Sequence, residues 1–457
     1  MPGDFAATLA RSTTDPSTKD QVDVLDLQHT WHPFTQMQEY ASLPRVHIER
    51  GEGCWLIDTE GKRYLDANAS VWTNVHGHHN ADLDAVLKAQ LDKIAHATYL
   101  GLGHEPGAQL ATKLSKLSGL DRVFYSDNGS NAVEIALKLS FQYFQLTGQS
   151  RRRRVIGLSD AYHGDTFGTM AVGDCGIFHE RFASWCFETE RIPAPTCDEL
   201  GGEVFDSSMK ASLDALDAHF DKFGDEVASV IVEPWIQGAA GMKLQPRGFL
   251  REVESRCRQY GAHLILDEVF VGFGRCGPML VGREEGVRPD FICLAKGLTA
   301  GYMPLAATVT TEEIYQAFLG DFGEYKAFFH GHTFTGNPLG CAVALKSIEL
   351  LEALKQSGQL DLTIKAFEDF FRSLREMLPE TFGLSQRGLA GALDLPPGDP
   401  DERRGLHLCI ALRERGILLR ALGDGLLIVP PLVISPSEIE FLKEGLIQTL
   451  QDKAFIQ

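Results

Sequence analysis

Between about residues 80 and 310, short apolar runs alternate with longer segments whose apolar residues recur at helical spacing. RVFYS (122–126), VIGL (155–158), SVIVEP (229–234), HLILDEV (263–269) and FICLAK (291–296) read as strands, and the stretches between them as helices. Such alternation predicts an α/β fold with a mostly parallel sheet covered by helices on both faces. Upstream, from about 45 to 66, the chain alternates and turns at GEG and EGK, the pattern of a β-meander. Beyond about 340, CAVALKSIELLEALKQ opens a long helical pattern leading into an α+β unit that ends near 450, with LPPGDPDERRG (395–405) as a loop inside it. Residues 1–25, rich in Ser, Thr, Asp and Pro, read as a flexible tail.

In an open parallel sheet, ligands collect beyond the carboxyl ends of the strands. Each predicted strand ends on reactive or small polar residues: Ser126 to Ser130, Tyr162-His163-Gly164, Glu233, Asp267 and Lys296. All would meet on one rim. Lys296 closes an apolar strand, and a lysine there either keeps its ammonium in water or is buried as an amine suited to Schiff-base chemistry. Asp267 ends the apolar HLILD, where a carboxylate is costly unless paired. It either caps the strand or faces a cationic heterocyclic nitrogen. SDNGSNAVEIALK runs from strand through small residues into a helix near Asn131. Its first N–H groups could hold a phosphate or simply be capped by Ser130 or Asn131. A lysine, a carboxylate and an anion cradle in this order are what pyridoxal phosphate needs. GFGRCG (272–277) also matches a dinucleotide-binding pattern, but Pro278 and PMLVGREEG follow it rather than a helix. An NAD-dependent oxidoreductase is the competing class.

Charge and cysteine usage narrow the setting. A net charge of −19 disfavours nucleic acid or an anionic membrane as partner. The run Arg151–Arg154 reads as a solvated loop. Nine scattered cysteines without C-x-x-C spacing suit reduced thiols in a cytoplasmic protein with no metal site. No apolar stretch approaches the length that spans a bilayer.

The segment HLILDEVFVGFGRCGPMLVGREEGVRPDFICLAKGLTAGYMPLAA, with SDNGSNAVEIALK, YHGDTFG, VEPWIQGAAG and HGHTFTGNPLGCAVA, resembles the class III aminotransferases in sequence and order, from about residue 27 onward. The resemblance implies a fold-type I pyridoxal-phosphate enzyme, with a large cofactor-binding domain over 80–338. A smaller α+β domain would be built from both chain ends, 26–79 and 339–457. It implies that Lys296 bonds the cofactor aldehyde and shuttles protons, that Asp267 holds the pyridine nitrogen protonated, and that Tyr162 and Val269 pack on the two ring faces. Gln237 would reach the ring hydroxyl. Gly129 and Ser130 would hold the phosphate together with Thr333 of a partner subunit, in a homodimer with shared active sites.

HTWHPFTQM (29–37), SVWTNVHGH (70–78) and LLRALGDGLLIVPPLVIS (418–435) are similar to the branch of this family that aminates 8-amino-7-oxononanoate in biotin biosynthesis. That similarity implies Arg420 as partner of the keto-acid carboxylate, with Phe34, Trp72 and Gly331 in the substrate site. Phe34 and Val71 stand where the branch often has Tyr and Trp, so the small-molecule amine donor is adenosylmethionine or lysine. An ornithine- or 4-aminobutyrate-type ω-transaminase is the alternative, although Ala239 and Leu427 occupy the places of its gating glutamate and its arginine.

Overall fold

The computed structural model describes residues 19–197, 206–453 and 455. Strands β1 (Ile48–Glu52), β2 (Trp55–Asp58) and β3 (Arg63–Asp66) form the antiparallel meander that the turns at GEG and EGK dictate. β4 (Arg122–Ser126), β5 (Arg154–Leu158), β6 (Glu190–Ile192) and β7 (Val227–Val232) follow, and β8 (Ile236–Gln237) and β9 (Lys243–Leu244) make a small hairpin. β10 (His263–Asp267), β11 (Phe291–Leu294) and β12 (Ala306–Thr310) complete a seven-stranded sheet of order β4-β12-β11-β10-β7-β5-β6. Its pairs are parallel except where β12 meets β11 and β4. β7, β10, β11 and β12 are buried along their whole lengths, as strands covered by helices on both faces must be.

The apolar runs outlast the ladders. SVIVEP and HLILDEV each continue past the last strand residue, so Glu233 and Glu268 sit in the loops that leave the sheet. In the first case Pro234 has no N–H to give a ladder. Lys296 opens a short 3-10 turn (Lys296–Thr299) one residue after Ala295, with φ +46°.

At the C-terminal side, β13 (Gly383–Arg387), β14 (Ala390–Asp394), β16 (Arg420–Leu422) and β17 (Gly425–Ile428) form an antiparallel sheet of order β13-β14-β17-β16. β15 (Ile417–Leu418) pairs instead with β3, tying the C-terminal part of the chain to the N-terminal meander. The predicted loop at 395–405 contains a short 3-10 turn, Pro400–Glu402, and the first residues of the helix Arg404–Glu414.

Of the predicted tail, residues 1–18 lie outside the described residues, and residues 19–25 differ from the expectation. They belong to a helix, Lys19–His29, none of whose residues is buried. It is held by side-chain bonds rather than by an apolar face. Asp23 accepts from Arg45 and pairs with His47, while Asp26 accepts from Tyr40 and pairs with His32. Among the described residues no helix is long and apolar enough to cross a membrane.

Candidate active site

The parallel strands deliver their carboxyl ends to one cavity of about 710 Å³, within the range of small-molecule sites. Its wall includes Asp127 to Ser130 after β4, Tyr162 to Thr166 after β5, Glu233 after β7, Asp267 and Val269 at the end of β10, and Lys296 after β11. The five strand-end groups singled out from the sequence thus share one rim.

Lys296 is partly accessible, and the space it reaches is the cavity. Its Nζ lies 4.5 Å from the Trp72 ring centroid and 5.4 Å from that of Phe270. Burial, helped by Arg275 and Arg420 and opposed by Asp267 and Glu233, brings its pKa down to about 8. At pH 7 about a tenth of the amine is then neutral, far more than in an unperturbed lysine.

Asp267 is buried, and its two oxygens are separately engaged. Oδ1 accepts the Val269 N–H at 3.1 Å, and Oδ2 lies 2.7 Å from His163 Nδ1. Burial opposes charge on His163, but the bond to Asp267, the charge of Asp267 and that of Glu233 outweigh it and hold the imidazole pKa above its ordinary value. The Glu233 carboxyl accepts N–H groups from Tyr162 (3.0 Å) and Gly238 (3.3 Å). Burial and the nearby Asp267 push it up to about 7 despite His163 and those two donors. Sequence reasoning put His163 and Glu233 on the rim without giving either a task. The His163–Asp267 bond joins residues 104 positions apart, and the one signal for it was the histidine directly after Tyr162.

The helix Gly129–Leu146 begins at the cavity. Asn128 is its N-cap, its side chain accepting the Asn131 N–H at 2.9 Å, while the Asn128 carbonyl takes that of Ala132. The N–H groups of Gly129 and Ser130, which a helix leaves without intrahelical partners, remain for an anion at its positive end. Gly164 has φ +128°, and a Cβ there would collide with the Ser130 side chain, so glycine is required for the two loops to close on each other. The Tyr162 hydroxyl donates to Asp165 at 2.9 Å, and burial raises its pKa.

The remaining predicted residues are placed variously. Val71, Trp72 and Thr73 line the cavity, carried by a turn in which Ala69, Ser70, Val71 and Trp72 all have positive φ, from +44° to +70°. Left-handed backbone costs L-residues about 1–2 kcal/mol each. Gln237 is buried behind the wall; its amide nitrogen donates to the Ser159 carbonyl at 2.8 Å, and its Oε1 finds no hydrogen-bond partner among the described residues. Arg420, on β16, is half-buried with its guanidinium 5.8 Å from the Phe34 ring centroid, and it bears electrostatically on both Tyr162 and Lys296. Phe34 is exposed and meets Phe178 edge-on at 5.9 Å. Gly331 and Thr333 are exposed and do not line this cavity, although His332 between them comes within 3.9 Å of Asp127 on its wall.

The residues present fit pyridoxal phosphate. A perturbed amine follows one strand and a fixed carboxylate ends its parallel neighbour, a helix offers the N–H groups of its first turn, and the buried His163 Nε2 and Gln237 Oε1 lack partners among the described residues. Comparison with known proteins gives the same direction. Residues 36–450 match the family model described as aminotransferase class-III. The adenosylmethionine-8-amino-7-oxononanoate aminotransferase of Geobacter sulfurreducens is 45% identical over 432 residues, covering 92% of this chain and 95% of the relative. The enzyme of that name from Methanocaldococcus jannaschii has a crystal structure that superposes with a TM-score of 0.89 at 39% identity, covering 95% of this chain and 99% of that one. An amine transaminase from an uncultivated Pseudomonas species, solved in its PLP-bound form, gives a TM-score of 0.85 at 30% identity over 93% of this chain and 98% of that one.

Proposed function

The chain belongs to the class III aminotransferases, and we propose that it transfers an amino group from adenosylmethionine or lysine to 8-amino-7-oxononanoate, giving 7,8-diaminononanoate for biotin biosynthesis. It is a pyridoxal-phosphate-dependent transaminase with a small-molecule amine donor and a keto acceptor. The observation that carries the reading is the meeting of Lys296, Asp267 and the N-terminus of Gly129–Leu146 on one cavity, in a chain whose relatives bear the name of that reaction.

When bound, the cofactor supplies an electrophilic aldehyde carbon and an electron-accepting ring. Lys296 would hold the cofactor through that carbon, and its amine, which burial brings down to a pKa of about 8, can take and return a proton at the substrate's α-carbon. Asp267 would face the ring nitrogen and favour its protonated form, and His163 holds the carboxylate in place. Gly129 and Ser130 would hold the phosphate, Tyr162 and Val269 would confine the ring, and Gln237 would serve the ring hydroxyl. Arg420 pairs with the acceptor's carboxylate as an arginine fork can, with Phe34 against its guanidinium and Trp72 on the cavity wall; Gly331, which does not line this cavity, would serve a partner's site.

Thr333 completes the phosphate site of the partner subunit in a homodimer. The exposed Phe329 and Phe334 on the same loop, with Leu100 and Leu102, offer the apolar surface that such an interface buries. The acidic chain is read as cytoplasmic.

The test is an absorbance-monitored pair of half-reactions on the purified holoenzyme. Adenosylmethionine or lysine should bleach the cofactor band, and 8-amino-7-oxononanoate should restore it. Arg420→Ala should raise the half-saturating acceptor concentration about tenfold or more while sparing the donor step. Bleaching by 4-aminobutyrate or ornithine alone, with no recovery on adding the keto acid, would overturn the assignment.

A further inference from the structure

Four consecutive non-glycine residues, Ala69, Ser70, Val71 and Trp72, hold φ between +44° and +70°. L-residues visit this region singly, and a β-branched valine is an outlier there. Such a turn persists only where its surroundings impose it, and residues of this kind gather at functional sites.

The imposing groups can be named. The Asp66 carboxylate accepts the Ser70 N–H at 3.1 Å and the Ser70 hydroxyl at 2.8 Å, and His78 Nε2 fixes it at 2.9 Å. Asn68 accepts from Trp72 twice, its Oδ1 taking the indole N–H at 3.2 Å and its carbonyl the backbone N–H at 2.9 Å. The indole then packs on Phe270, ring centroids 4.5 Å apart, and over Gly238, where an added Cβ would come within 3.2 Å of Trp72 Cζ3. The outcome is a wall: Val71, Trp72 and Thr73 line the cavity, with the Trp72 ring 4.5 Å from Lys296 Nζ. Wound in the right-handed sense, the same four residues would turn the chain the other way and carry the two side chains off that wall.

We propose that Asp66 and Asn68 are positioning residues for substrate selection, holding this left-handed turn so that Val71 and Trp72 form the apolar and aromatic wall against which the side chain of the amine donor is measured. The inference rests on the aminotransferase reading of the cavity and adds to it the residues behind the donor-facing wall. Neither Asp66 nor Asn68 touches the cavity; both act through the backbone of the turn.

The test compares wild-type holoenzyme with Asp66→Asn, Asn68→Ala and the pair Asp66→Asn/Ala69→Gly, glycine being at ease with positive φ. Three quantities are read: amide hydrogen exchange over residues 70–74, the donor concentration that half-saturates cofactor bleaching, and the dissociation constant of pyridoxal phosphate. Each single variant should quicken exchange and raise the half-saturating donor concentration about tenfold, with the limiting rate and cofactor affinity within about threefold. Adding Ala69→Gly should recover most of the loss. Faster exchange with an unchanged donor constant would overturn the proposal, as would a donor constant that moves only in step with cofactor affinity. Should wild-type enzyme bleach with neither adenosylmethionine nor lysine, the functional assignment fails. The same comparison, made with ornithine or 4-aminobutyrate as the amine, then judges the wall on its own.

Discussion

Lys296 shows what a residue owes to its neighbours. An unperturbed lysine would be almost wholly protonated at neutral pH. Here burial dominates the attraction of Asp267 and Glu233 and leaves its pKa about 8. The shift carries a stability signature in the apoprotein. Between about pH 8 and the ordinary lysine range the unfolded chain binds one more proton than the native one, so the native state gains as pH rises through that window. Below it the penalty stays at full size. The stability of wild-type apoprotein relative to Lys296→Met should therefore climb by about 2–3 kcal/mol from pH 8 to 10.5, measured by urea unfolding at each pH. A flat difference would mean that Lys296 is not perturbed. Lys296 and Asp267 were legible because strand-ending charges stand out against apolar runs. His163 was not assigned a task, because nothing local shows that it will meet a carboxylate 104 residues away.

At the scale of elements, the helix Gly129–Leu146 joins local sequence to chemistry. Its cap and its anion-binding end are the same few residues, so one substitution should register in both. Asn128→Ala should lower apoprotein stability by about 1 kcal/mol, the worth of a lost N-cap, and weaken cofactor binding severalfold as the first turn frays. Urea unfolding and a pyridoxal phosphate titration would check the two effects, and a stability loss with unchanged affinity would detach the helix end from the phosphate. The strands β4, β5, β7, β10 and β11 were legible as apolar runs. β12 is built from small and β-branched residues, AATVT, and its antiparallel placement has no local mark. The turn Ala69–Trp72 was hidden for a related reason. Positive φ is usually announced by Gly, Asn or Asp, and here the conformation is imposed by Asp66 and Asn68 from outside.

At the scale of the molecule, β15 on β3 joins the N-terminal meander to the C-terminal part of the chain, and β16 carries Arg420 close enough to the cavity to bear electrostatically on Lys296 and Tyr162. The convergence of the strand ends was predictable from the rule that parallel sheets gather ligands at their carboxyl edge. Thr333 was expected to serve a partner's site and does not line its own cavity; Gly331 was expected in the substrate site and does not line the cavity either, which no local pattern marks. The proposed function depends on one bond, between Lys296 and the cofactor. Borohydride reduction of the holoenzyme followed by peptide mass mapping tests it directly. A single pyridoxyl modification on the peptide containing Lys296, absent from Lys296→Ala, is the predicted result. Modification at another lysine, or none in enzyme saturated with pyridoxal phosphate, would contradict it.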